Sequence, residues 1–197
     1  VQVAVDFYNQ HPNDTLILVT ADHETGGMTI GFTTTNYDTY LTNLTKQTMS
    51  FVKFDSIIDT LRAQGASFEA AMTEAKKAFG LITANDADAA NPEYENLILT
   101  DYELEGLRTA YERSMTVGAS GQGDMTQRDY ELYGTYQPFS VELCHVLNHK
   151  SGMDHTTWSH TGAPVNLYAI GAGSDQFTGA YDNTEIYHKL AELTSVQ

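Results

Sequence analysis

The side chains best suited to chemistry lie in Thr20-Ala21-Asp22-His23-Glu24-Thr25-Gly26-Gly27. A carboxylate and an imidazole side by side, Asp22 and His23, offer one oxygen and one nitrogen donor, the donor types that suit a zinc-like ion. Adjacent residues of a regular strand point to opposite faces, so the pair can share an ion only where the chain has left strand geometry. Gly26-Gly27 provides that break. On spacing alone the pair reads equally as a turn cap, Asp22, beside a packed imidazole, His23. His160 is the second candidate: it lies in Thr156-Thr157-Trp158-Ser159-His160-Thr161-Gly162-Ala163-Pro164-Val165, where Gly162 and Pro164 present it on a turn. A lone loop histidine is more often a hydrogen-bonded surface residue than a ligand.

The other chemistry-bearing residues read as structural. His145 and His149 stand four apart on a helix but lack the His-Glu-x-x-His form of a metalloprotease. His155 has a structural role or reaches a ligand only indirectly. Asp86 and Asp88 lack the central Gly and terminal Glu of a calcium loop. Gly171-Ala172-Gly173 lacks the third glycine of a dinucleotide site. Tyr130, Tyr133, Tyr136 and Phe139 form an aromatic stripe of core or interface type.

The elements that must position Asp22, His23 and His160 follow from pattern. The opening residues read as a helix with Val1, Val5 and Tyr8 on one face, stopping before His11-Pro12-Asn13-Asp14, where Pro and the Asn-Asp pair mark a turn. Thr15 to Thr20 is an unbroken apolar, β-branched run, the signature of a buried strand in a parallel sheet. Asp22 and His23 then sit at its carboxyl end, where open α/β sheets bind ligands. Met28 to Phe32 alternates as a second strand. Helical spacing covers 51–64 and 68–79, with Gly65 between them and Ser67 as an N-cap. Thr100-Asp101-Tyr102-Glu103 has capping-box form and opens a further helix. Residues 120–124 read as a mobile loop. A helix from Phe139 to Asn148 turns Val141, Leu143, Cys144 and Leu147 inward, Val165 to Ile170 is a strand, and Asp182-Asn183-Thr184-Glu185 caps a last helix. The fold class is α/β: part of a largely parallel sheet flanked by helices. Residues 36–138 read as a mainly helical insertion in a single domain spanning 1–197.

Composition supports a packed domain, with 41% hydrophobic and 18% charged residues. Ten basic against 26 acidic residues leave a net charge of −16, which repels nucleic acid and anionic membrane and names neither as a partner. That field also repels a phosphate ester unless a bound metal cluster makes the site locally positive. The single cysteine, Cys144, excludes an internal disulfide framework and a Cys-based zinc site. No apolar run approaches membrane-spanning length. The opening residues lack a signal peptide and an initiator Met, and they enter as if in mid-helix, which suggests a chain cut from something longer.

Thr20 to Gly27, His160-Thr161-Gly162, Val165 to Ile170 followed by Gly-Ala-Gly, and Asp182 to Ile186 occur in one order. Together they resemble the alkaline phosphatases, especially bacterial ones with the Asp-His-Glu-Thr-Gly-Gly form. The resemblance covers residues 1–35 and 139–197; residues 36–138 match no motif. It implies phosphate monoester hydrolysis through a covalent phospho-enzyme and two zinc ions, with Asp22 and His23 on one ion and His160 on its neighbour. It further implies a homodimer, exported to the periplasm or secreted, and a magnesium site in the parent protein. The family's nucleophile, its phosphate-holding Arg and its remaining ligands precede this strand, and none of the 21 residues before Asp22 matches them. Both zinc sites are therefore incomplete. Catalytic zinc normally takes three protein ligands, so the chain alone should bind metal weakly, turn nothing over, and depend on a missing N-terminal part. The alternatives are a phosphodiesterase, sulfatase or phosphomutase relative, or a non-catalytic fragment.

Overall fold

The computed structural model describes residues 1–116 and 125–196; the 120–124 loop lies outside the described residues. The chain divides into two compact units, one of residues 1–27 and 159–197, the other of 28–158.

The first unit opens with α1 (Gln2–Gln10), continues into β1 (Leu16–Val19), and after residue 159 supplies β4 (Tyr168–Gly171) and α7 (Thr184–Thr194). β1 and β4 pair antiparallel, Leu16 opposite Gly171 and Val19 opposite Tyr168. The α/β class stands, but the ladders among the described residues are antiparallel; the one parallel pairing is the isolated Ile82–Ile98 bridge. This register has a direct consequence. The loop leaving β1 and the loop entering β4 emerge at the same end of the pair, and those are the loops carrying Asp22-His23 and His160. Thr20 reinforces the junction, its hydroxyl donating to the Asn166 carbonyl at 3.0 Å.

Gly171 permits the pairing. Its φ is +109°, and a Cβ there would stand 2.0 Å from the Thr15 carbonyl oxygen, the same oxygen that accepts the Ala172 N–H at 2.9 Å. A side chain and the close approach of these strands cannot coexist. α7 begins where the Asp182 carboxylate accepts both the N–H and the hydroxyl of Thr184. Its apolar residues Ile186, Leu190 and Leu193 are half-buried.

The second unit holds the hydrophobic core. α2 (Phe51–Gln64) starts at Ser50 and α3 (Phe68–Phe79) at Ser67; each serine side chain accepts a backbone N–H three residues on, and each helix ends at a left-handed glycine. Thr100 and Glu103 form the expected reciprocal cap at the head of α4 (Asp101–Thr116). α5 (Gln127–Tyr133) and α6 (Pro138–Lys150) follow, the latter burying Val141, Leu143 and Leu147. Phe54, Phe68, Phe79, Tyr111 and Phe139 interlock with ring centroids 5.2–6.3 Å apart. The fully buried Ser114 hydroxyl accepts the Phe139 N–H at 2.9 Å, giving an orphan donor at the start of α6 a partner. A short pair, β2 (Thr29–Ile30) with β3 (Met153–Asp154), completes the unit.

Candidate metal centre

Leaving β1, the chain turns at Asp22. The Asp22 Oδ1 accepts the His23 N–H at 3.0 Å, which directs the other oxygen, Oδ2, toward the imidazole of His23. His23 Nδ1 lies 2.6 Å from the Glu24 carbonyl. A carbonyl only accepts, so Nδ1 carries the proton, and in the neutral ring Nε2 presents a bare lone pair. That Nε2 stands 3.6 Å from Asp22 Oδ2. With the ring neutral, two acceptors face each other across a gap that a proton or a cation would stabilise. Donors each about 2.0–2.1 Å from one tetrahedral ion lie about 3.3–3.4 Å apart, so the observed gap is close to a ligand–ligand edge of such an ion. The pair is accessible: the Asp22 side chain is 87% exposed and that of His23 43%.

His160 reaches the same place from the other loop, its ring centroid 4.3 Å from that of His23 and tilted by 37°. The structure thus brings together all three residues singled out from sequence. It does not close a ligand cage, because among the described residues no group of three or more His, Cys, Asp and Glu is arranged to hold an ion. The donor set fits a partial site: a carboxylate oxygen, an imidazole whose tautomer is set by a carbonyl, and a second imidazole beside it.

Sequence reasoning missed the group that joins the two loops. The Glu24 carboxylate accepts the Gly27 N–H on Oε1 at 2.6 Å, and on Oε2 both the N–H of Thr161, at 2.9 Å, and its hydroxyl. Thr161 Oγ1 in turn accepts the Ala163 N–H at 3.2 Å, so the hydroxyl is oriented from both sides. The available signal was that Glu24 and Thr161 each follow a candidate ligand directly. Spacing carries no information that residues 137 apart would meet.

The remaining candidates have structural partners within the second unit. His149 Nε2 lies 3.2 Å from Asp154 Oδ1, and its ring stacks on Phe32 at 3.8 Å. His145 lies beside Glu142 and against Trp158. The His155 N–H donates to Asp154. Asp86 accepts from Lys76 and from the Asp88 N–H; the lysine's hydrogen bond, first among the causes, holds its carboxyl below the usual range. Tyr133 and Phe139 of the aromatic stripe are buried, Tyr130 and Tyr136 exposed.

Comparison with known proteins bears on this geometry. The family model for alkaline phosphatase matches residues 1–196. Alkaline phosphatase 4 of Bacillus subtilis (strain 168) is 25% identical over 185 residues, which is 93% of this chain and 30% of that protein. Alkaline phosphatase 3 of the same organism is 26% identical, over 94% of this chain and 31% of its own length. Among solved structures, a cold-active alkaline phosphatase from a psychrophilic Shewanella species matches with a TM-score of 0.62 at 26% identity, covering 98% of this chain and 37% of the other. The chain thus spans about a third of the length of each of these relatives.

Proposed function

The chain belongs to the alkaline phosphatase family, and from that premise we propose that it supplies part of a two-zinc centre for phosphate monoester hydrolysis. Asp22 and His23 hold one ion and His160 its neighbour. The observation that carries this reading is the His23 Nε2 facing Asp22 Oδ2 at 3.6 Å, with Nδ1 directed at the Glu24 carbonyl. A ring fixed in that tautomer by a carbonyl on its far nitrogen is the usual state of a metal-bound histidine.

When bound, paired zinc ions supply Lewis acidity toward the attacking and leaving oxygens of an in-line phosphoryl transfer. The chain's own contribution is to aim the three donors. They lie at one end of the β1–β4 pair, open to solvent, where a dianionic ester can approach. A cationic centre there also answers the −16 net charge, which otherwise opposes that approach. Two donors on one ion and one on the other fall short of the three protein ligands of a catalytic zinc. Further ligands, the nucleophile that becomes phosphorylated, and a magnesium site belong in this proposal to polypeptide outside these 197 residues. The same reading makes the complete enzyme a homodimer acting in the periplasm or the medium.

The test is hydrolysis of p-nitrophenyl phosphate by the full-length protein, before and after chelation and with zinc added back. Activity should vanish with the chelator, return with zinc, and fall to near background in Asp22→Ala, His23→Ala and His160→Ala. The 197-residue chain alone should turn nothing over. A zinc-loaded full-length protein that cleaves diesters or sulfate esters but not monoesters would move the assignment to another reaction on the same metal frame.

A further inference from the structure

We propose that Glu24 is a positioning residue that locks the two ligand-bearing loops in register, so that the separation of His23 and His160 is set by a carboxylate that need not touch the ions. The inference rests on the metal-centre reading above and deepens it.

His23 is followed by Glu24, and His160 by Thr161. A bond between the second members of these two pairs constrains the first members to within one peptide unit on either side. The bond here is strong in kind. One carboxylate oxygen accepts two hydrogen bonds from a single residue, the backbone N–H and the hydroxyl of Thr161, while the other oxygen accepts the Gly27 N–H at 2.6 Å. Hydrogen bonds to a carboxylate are shorter and roughly twice as strong as neutral ones. The Gly27 bond closes the 24–27 turn on itself, so Glu24 orders its own loop and reaches across to the second.

Glu24 and Thr161 are both half-buried, whereas Asp22, His23 and His160 are exposed. The fastener is thus better shielded than the donors it holds. Shielding matters because an exposed polar contact contributes little in competition with water. The Glu24 carbonyl also accepts from His23 Nδ1, so the same residue sets the tautomer of one candidate ligand through its backbone and the placement of the other through its side chain. With three donors already on its carboxylate, Glu24 is suited to hold rather than to coordinate.

The experiment measures zinc affinity, by competition with a chromophoric chelator, and the visible absorption of the cobalt-substituted protein, both on the full-length form well below its melting temperature. Glu24→Ala should weaken zinc about 10–100-fold, the usual effect of removing a group that orients a ligand, and should alter the cobalt bands. Glu24→Gln, which keeps one acceptor oxygen, should fall between. Thr161→Val should weaken zinc less, and in the Glu24→Ala background it should add almost nothing, because the bond it breaks is already gone. Two residues that merely support the fold would be coupled in melting temperature but would leave zinc affinity and the cobalt bands of the folded protein unchanged. If Glu24→Ala fails to fold, the comparison of Glu24→Gln, Thr161→Val and their double variant carries the test in the same way. Zinc affinity and cobalt bands unchanged in the Glu24 variants, while His23→Ala loses zinc, would overturn the positioning role and leave the metal centre intact. Zinc binding unaffected by Asp22→Ala, His23→Ala and His160→Ala would remove the metal centre and this inference with it.

Discussion

Asp22 Oδ1 accepts the His23 N–H and leaves Oδ2 3.6 Å from the ring's Nε2, so the turn-cap description is met and the donor atoms of the candidate pair stand beside each other. Residue types named the candidate chemistry here, and spacing could not choose between cap and ligand pair. Asp55, on α2, is a residue that sequence gave no reason to notice. One of its carboxylate oxygens is buried without a hydrogen-bond partner, and burial, with a contribution from the charge of Asp59, raises its carboxyl above the usual range. The sign for stability follows. Below the unfolded-state value, about 3.9, both states are protonated and the fold bears no penalty; as pH rises through the higher folded value, ionising the buried group costs native stability. Asp55→Asn should therefore raise the melting temperature at pH 7, by an amount that shrinks toward zero as pH is lowered to 4. Thermal melts of both proteins across that range check it, and an equal gain at both ends would mean that charge is not the cause.

Among the elements, the antiparallel pairing of β1 with β4 decides where the site forms. His160 precedes its strand, whereas Asp22 follows its own. Two such loops meet only if the strands run in opposite directions. The apolar run at 15–20 suggested a parallel neighbour, because a strand covered on both faces is apolar throughout. Among the described residues β1 pairs only with β4, and Leu16, Ile17 and Leu18 are half-buried. Helix limits were far easier to read: 51–64 and 68–79 agree with the structure residue for residue, with Gly65 and Ser67 as local punctuation in the sequence and Ser50 and Gly80 found as the outer caps in the structure. Strand partners were not, because pairing is a long-range choice that local pattern does not encode. Gly171 supplies the test. Gly171→Ala places a methyl 2.0 Å from the Thr15 carbonyl oxygen at a φ of +109°, so the strands must separate. The variant of the full-length protein should lose about 3 kcal/mol or more from this unit and most of its zinc affinity. Metal titration alongside circular dichroism would show it; wild-type zinc binding in Gly171→Ala would mean that the pairing does not place the ligands.

Over the whole molecule, the material that makes a stable core and the material that carries the candidate ligands are segregated. Among the described residues, the interlocked aromatic rings and every other buried large apolar side chain but one belong to residues 28–158. Among the described residues of the first unit only Gly26 and Phe177 are buried, while Val3, Phe7, Tyr168, Ile170 and Tyr187 are exposed. Hydrophobic burial is the main favourable term in folding, so the two units should open at very different free energies. Amide hydrogen exchange on the 197-residue chain is the measurement. The amides of Leu143, Val146 and Leu147 in α6 should be the slow ones, and those of β1 and β4 should exchange about a thousandfold faster, a gap of about 4 kcal/mol. In the full-length protein with zinc the strand amides should slow, because an ion that binds only the folded site stabilises it by mass action. The α6 amides should scarcely change. Strand amides in the 197-residue chain as protected as those of α6, with or without zinc, would show that the ligand-bearing unit is stable by itself and needs neither metal nor further polypeptide to hold its loops in place.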